Sequence, residues 1–257
     1  MKKVYLILAL LLSVFIFCVN AQAQNKLALC MGLSKCGTPS APDIMAAQND
    51  AIDLKKVLVR QGYNASVVTN QYATRQNILT RLRKIVAATK SSNDKILLYF
   101  ATHGTEKGYI LTYGGEYIQY SEIIDILSKS KTRHIYVFIM ACHSGTVAAG
   151  LTEDPNWRND IVRSGISFMV SSRPEETSKS VTLPHWKHSF FGQAVIKGMR
   201  GKADGNRDRS VTLKELYDYV YAEVVNRMDG RAEIGGEVQH PQLICQTSEY
   251  NAVLAKW

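Results

Sequence analysis

A histidine and a cysteine occupy comparable places in this chain. "LLYFATHG" carries His103 and "YVFIMACHSG" carries Cys142, each just past a continuous apolar run and each with glycine close behind. An unperturbed thiol, with a pKa of about 8.5, is only a few per cent thiolate at neutral pH. A neighbouring imidazole that takes its proton makes it a nucleophile, and the resulting imidazolium can then protonate a leaving amine. Gly104 and Gly145 let backbone approach a substrate, and nearby N–H groups can serve an oxyanion. Two other readings of Cys142 stay open on spacing alone. It could be a small buried residue closing a strand. It could ligate zinc with His103 and His143, a set that lacks a fourth ligand. His143 is a rival base, but a residue adjacent on an extended chain points away from Cys142.

These residues need a frame that brings two strand ends together. "KLALCMG", "YNASVVT", "KILLYFA", "HIYVFIM" and "GISFMVSS" read as five strands. Helical spacing of Ile44, Ala47, Ala51, Leu54 and Leu58, stopped at Gly62, places a helix after the first strand. A second helix begins at the cap Thr74, with Ile78, Leu82, Ile85 and Val86 on one face. "EKGYILTYGGEYIQY" reads as a hairpin turning at Gly114–Gly115, followed by a short helix over 121–130. Further helices span 189–199 and 212–228, and "PQLICQ" and "NAVLA" supply a last strand or strand-like tail. Strand–helix alternation predicts an α/β fold with a mostly parallel central sheet and helices on both faces. Ligands bind such sheets beyond the carboxyl ends of the strands. If the third and fourth strands are neighbours, His103 and Cys142 share one crevice.

The chain has 257 residues, a net charge of +9 and five cysteines. It opens with Lys2 and Lys3, an apolar run from Val4 to Val19 and small residues at 21–23, the pattern of a signal peptide. Cleavage there leaves a domain over 24–257 and lowers the charge to +7 as the two lysines leave. The expected location is exported, periplasmic or secreted, with no membrane association after cleavage. The positive charges are scattered without aromatic interleaving, so no nucleic-acid partner is expected. Of the remaining cysteines, Cys30 and Cys36 are near enough in sequence to pair, and no CxxC motif supports structural zinc. The oligomeric state has no signature in the sequence.

"YFATHG" followed by "ACHSG" resembles the histidine and cysteine boxes of the caspase and metacaspase peptidases, a group that also includes legumain and clostripain. "AAQNDAIDLKKVLVRQGY" is similar to the family's first helix, "ATRQNILTRL" to its second, and "HSFFGQAVIKGMRGKADGNRDRSVTLKELYDYV" to the end of bacterial members. The resemblance implies a three-layer caspase-like fold and a cysteine endopeptidase acting on protein or peptide substrates through a thioester. It makes Cys142 the nucleophile and His103 the general base and acid, with the N–H groups of Gly104 and Cys142 as the oxyanion hole. No third group orienting His103 is evident.

Substrate-binding positions carried over are Asp50, Ala101 and Met140. Metacaspases resemble one another in an acidic pocket selecting arginine or lysine at P1. Here Asp50 keeps the acid, while Ala101 and Met140 replace polar positions. Glu175 or Glu176 is expected to reach the pocket. A basic P1 is the first expectation and a small or apolar P1 the alternative. Maturation by cleavage in a loop is expected, at Arg158, Arg173 or Lys179. The rival reading is a catalytically idle caspase-like module that binds peptides or a partner protein.

Two further motifs stand out. Asp204, Asn206, Asp208, Ser210, Thr212 and Glu215 fall at the ligand positions of an EF-hand loop, giving a calcium expectation, although the chemistry of a Cys–His dyad requires no cofactor. Arg209 occupies the position that asks for glycine, and Thr212 with Glu215 reads equally as a capping box. His185 and His188 in "HWKH" have metal-like spacing but sit beside Pro184, and read as loop surface near the cleft.

Overall fold

The computed structural model describes residues 24–149, 164–178, 187–228 and 238–257. The signal-peptide reading over 1–23 lies outside these residues. In chain order the elements are β1 (Lys26–Gly32), α1 (Met45–Arg60), β2 (Asn64–Thr69), α2 (Arg75–Ala87), β3 (Lys95–Ala101), β4 (Tyr109–Leu111), β5 (Tyr117–Gln119), α3 (Tyr120–Leu127) and β6 (His134–Met140). They continue with α4 (Thr146–Ala149), β7 (Ile166–Val170), α5 (Phe190–Lys197), β8 (Ser210–Thr212), α6 (Leu213–Met228), β9 (Gln242–Ile244) and β10 (Val253–Lys256). Six strands form one sheet in the order β2-β1-β3-β6-β7-β9. Every pairing is parallel except β7 with β9.

Side-chain alternation along the strands divides the core into two layers. Ala28, Cys30, Leu97, Tyr99, Tyr136 and Phe138 pack with Leu54 and Leu58 of α1, Phe191 and Val195 of α5, and Leu216 and Val220 of α6. Leu29, Met31, Ile96, Leu98, Ile135 and Val137 face the other way, against Ile78 and Leu82 of α2 and Ile123 and Leu127 of α3. Each fully buried side chain of this size contributes about 1.5–3 kcal/mol. Both faces are therefore apolar, which is why the strands read as unbroken hydrophobic runs rather than alternating ones.

Local signals hold at several ends. The Thr74 hydroxyl accepts from the Asn77 N–H, starting α2. Gly114 and Gly115 both take φ of 88° at the hairpin between β4 and β5, a left-handed conformation that glycine adopts without strain. The C-terminal runs separate. "QLI" becomes β9 on the edge of the main sheet, whereas β10 pairs antiparallel with β8 in a small second sheet. The expected Cys30–Cys36 bond does not form, and both thiols are free. Cys30 belongs to the layer under α1 and Cys36 to the layer under α2 and α3, so the sheet stands between them.

Candidate active site

The sheet places His103 and Cys142 by register. β3 and β6 are adjacent and parallel, with Ala101 opposite Met140. His103 and Cys142 each lie two residues beyond that pair. The ladder continues one step past the strands, where the Thr102 N–H donates to the Met140 carbonyl at 3.0 Å. The two loops then touch. A β-carbon at Gly104 would lie 2.2 Å from the Cys142 carbonyl oxygen, so only glycine fits there. Both catalytic candidates are half-buried.

A third group orients the histidine. His103 Nε2 lies 2.7 Å from the Pro42 carbonyl oxygen. A carbonyl only accepts, so Nε2 carries the proton and the neutral ring keeps its lone pair on Nδ1. This is the tautomer a general base needs. The Cys36 thiol donates to the same oxygen at 3.6 Å and helps hold the loop that carries it. Sequence reasoning missed Pro42 because a main-chain carbonyl has no residue signature. His143 is tied elsewhere: its Nδ1 donates to the Pro174 carbonyl at 2.7 Å. Its backbone has φ of 53°, a left-handed turn immediately after Cys142.

The segment 171–178 lies against this turn. Among the described residues, the Cys142 thiol donates its hydrogen bond to the Ser178 carbonyl, at 3.8 Å. The His143 N–H donates to the Glu176 carbonyl at 2.9 Å. Glu176, only 8 % exposed, is a strut. Its carboxylate accepts from the Arg173 N–H (3.0 Å), the His240 N–H (2.8 Å) and His240 Nδ1 (2.5 Å). Burial raises this carboxyl's pKa, but the bonds from Arg173 and His240 outweigh it and hold it below the ordinary glutamate value. A depressed folded pKa means that the strut is at full strength above the ordinary glutamate range and is lost as pH falls through the folded value. Glu176→Gln should weaken it by about 1.5–3 kcal/mol, the worth of charge-assisted bonds. Hydrogen exchange of 171–178 is expected to show protection that fails in acid in the wild type, and weaker protection at every pH in the variant. Equal protection in both would contradict the strut.

The expected substrate-binding residues converge but are filled in. Asp50, Ala101 and Met140 are 0 %, 0 % and 2 % exposed. Ala101 and Met140 share the layer under α1 with Phe190 and Phe191. The Asp50 carboxylate accepts from the Ser189 hydroxyl (2.6 Å), His188 Nδ1 (2.8 Å) and the Tyr99 hydroxyl (3.3 Å). Burial pushes its pKa up, against the bonds from His188 and Ser189. His188 Nε2 meets Asp53 at 3.4 Å, so each ring nitrogen faces a carboxylate. His188 is therefore a half-buried partner of Asp50 and not loop surface; His185 lies outside the described residues. Glu175 is exposed, and Glu176 is committed to its strut rather than to a pocket with Asp50.

The sequence matches the caspase domain family (peptidase C14) over residues 25–252. The chain belongs to the caspase domain family. Its fold is shared with solved structures. Caspase-1 of Spodoptera frugiperda superposes with a TM-score of 0.64 at 17% identity, covering 88% of this chain and 91% of that one. A structural-genomics protein of Geobacter sulfurreducens superposes with a TM-score of 0.59 at 16% identity, covering 88% and 97%. Comparison with curated protein sequences finds no match.

Away from His103 and Cys142, the 204–215 loop makes its own turns. Asp204 accepts from the Asp208 and Arg209 N–H groups, and Asp208 from the Ser210 N–H. Arg209 takes φ of 65°, the turn conformation that glycine would ordinarily supply. Glu215 bonds both the Thr212 N–H and hydroxyl, completing a capping box for α6. Among the described residues no group of three or more His, Cys, Asp or Glu is arranged to hold a metal. That includes His103, Cys142 and His143. Of the expected maturation positions, Arg173 is exposed in a loop, while Arg158 and Lys179 lie outside the described residues. No helix among the described residues is long and apolar enough to cross a membrane.

Proposed function

We propose that this caspase-domain protein is an exported cysteine endopeptidase with Cys142 as nucleophile and His103 as base and acid. The observation that carries the reading is the Pro42 carbonyl on His103 Nε2, which leaves Nδ1 as the basic nitrogen on the loop adjoining the one that carries Cys142. The Cys142 proton passes to His103 Nδ1 as sulfur attacks the scissile carbonyl carbon. The N–H groups of Gly104 and Cys142 receive the oxyanion; no protein acceptor for either is found among the described residues. Collapse expels the amine, which takes its proton from His103. Water, deprotonated by His103, then splits the thioester and restores the thiol.

Asp50 already has its carboxylate occupied by His188 and Ser189, and Ala101 and Met140 offer no charge. The reading therefore departs from the basic P1 of the family resemblance: a small, uncharged P1 is preferred over arginine or lysine. The Ser178 carbonyl on the thiol makes the described state a resting one, in which 171–178 must yield before substrate reaches Cys142. Loop cleavage of a zymogen would do that. Export rests on the sequence of 1–23.

A P1-diverse peptide library tests the proposal, incubated with wild type and Cys142→Ala, in calcium and in chelator. Turnover by the wild type alone is expected, fastest after small uncharged residues and at equal rates with and without calcium. Fastest cleavage after arginine would restore the basic pocket. A calcium-dependent rate would give the 204–215 loop a role. Peptide binding without turnover in either protein would favour the idle module.

A further inference from the structure

The opposite end of the sheet from the dyad carries a concentration of positive charge that catalysis does not use. β1 opens on Lys26 and β3 on Lys95, and the two lysines are register partners on adjacent strands. Arg60 closes α1 and Lys256 lies in β10. All four line one cavity of about 500 Å³, and no acidic side chain is among its lining residues. The ammonium groups are aimed by neutral partners. Lys95 Nζ donates to the Val253 carbonyl at 2.7 Å and Lys26 Nζ to the Gln61 carbonyl at 3.2 Å. Each ammonium has three donors, so each retains two. Among the described residues none of the four cations is ion-paired.

This arrangement carries a cost. Burial lowers the Lys95 pKa most and repulsion from Lys26 lowers it further; Glu249 pulls the other way, by more than Lys256 repels, and the net direction is down. Glu249 does not line the cavity, and it is engaged by the Tyr136 hydroxyl at 2.8 Å and by His134 at 3.2 Å. Like charges gathered around one cavity with no acidic residue in its lining are an expense that an anionic ligand removes. The cavity falls in the size range of small-molecule sites. Arg60 supplies a planar fork suited to phosphate oxygens and the lysines supply point charges.

We propose that this cavity binds a small anion bearing two or more phosphate charges, held by Lys26, Arg60, Lys95 and Lys256. The site is independent of the peptidase reading and would stand without it.

Inorganic pyrophosphate is the probe, titrated into the full chain with thermal unfolding and calorimetry as readouts, against sodium chloride at matched ionic strength. Arg60 and Lys256 are exposed, so the Arg60→Gln/Lys256→Gln double variant should fold normally. The wild type is expected to show a saturable rise in Tm and binding heat that chloride does not reproduce. The double variant should bind at least about tenfold more weakly, and without pyrophosphate it should melt no lower than wild type because repulsion has been removed. A Tm shift that chloride matches, or an equal shift in the variant, would overturn the proposal. So would binding to phosphatidylglycerol vesicles that pyrophosphate neither mimics nor competes for, since that assigns the charge to a lipid surface.

Discussion

Cys142→Ala is expected to lower peptide turnover by at least about 10³-fold while leaving the melting temperature nearly unchanged. The thiol is half-buried at a loop, and its one hydrogen bond among the described residues is a weak one to Ser178. Little packing is lost with sulfur, so any large effect belongs to chemistry. His103→Ala should cost about 10²–10⁴-fold, the usual worth of a positioned acid–base group. The two losses should not add, because base and nucleophile act as one unit. The double variant is expected to be about as slow as the slower single one. A thiol-reactive peptide electrophile, followed by mass spectrometry, gives a second readout. It should label Cys142 in the wild type, label it much more slowly in His103→Ala, and not label that position in Cys142→Ala. Unchanged labelling in His103→Ala would remove the histidine from the mechanism. Full turnover by Cys142→Ala would remove the cysteine.

Gly104→Ala is expected to be nearly as damaging, although it deletes nothing. The new methyl group would stand 2.2 Å from the Cys142 carbonyl oxygen and 3.0 Å from the Ala141 β-carbon. Neither neighbour is the free end of a flexible side chain. The loops after β3 and β6 must separate, and overpacking of this kind costs about 1–3 kcal/mol. Separation also moves the thiol away from the imidazole and shifts one proposed oxyanion donor. Displacements of about 1 Å at reacting groups cost about 10²-fold in rate. A fall in kcat/KM of that order, with a lower Tm and intact secondary structure, is the expected result. Gly145→Ala is a useful companion. Its β-carbon would meet Gln242 and Pro174 at 2.6 Å and 2.7 Å, on the far side of the Cys142 turn. Activity at wild-type level in Gly104→Ala would show that the two loops are not held as closely as the sheet places them.

Much of the frame was legible beforehand because local physics decides it. β1, β3 and β6 coincide with continuous apolar runs, and Thr74, Gly114 and Gly115 act through their own backbone and side-chain chemistry. Alternation predicted a mostly parallel sheet but left the adjacency of β3 and β6 as a condition; their pairing in the sheet meets it and brings the strand ends bearing His103 and Cys142 to one crevice. Cys30 and Cys36 do not pair because the loop after β1 carries Cys36 to the layer on the other side of the sheet from Cys30, which nearness in sequence does not reveal.

What only the tertiary structure decided is the set of partners. The Pro42 carbonyl that fixes the His103 tautomer belongs to a loop 61 residues upstream. Glu176 looks in sequence like any loop carboxylate, and becomes a strut only when His240, 64 residues away, closes on it. Asp50 kept the family's acid at its position, yet His188 and Ser189 arrive from the far side of the chain to occupy it. Sequence determined which residues could do chemistry, because residue type sets reactivity and apolar periodicity sets the strands that carry them. Contacts between distant segments determined which charges are free, because a carboxylate, an imidazole or a carbonyl takes its role from whatever long-range packing brings within hydrogen-bond reach.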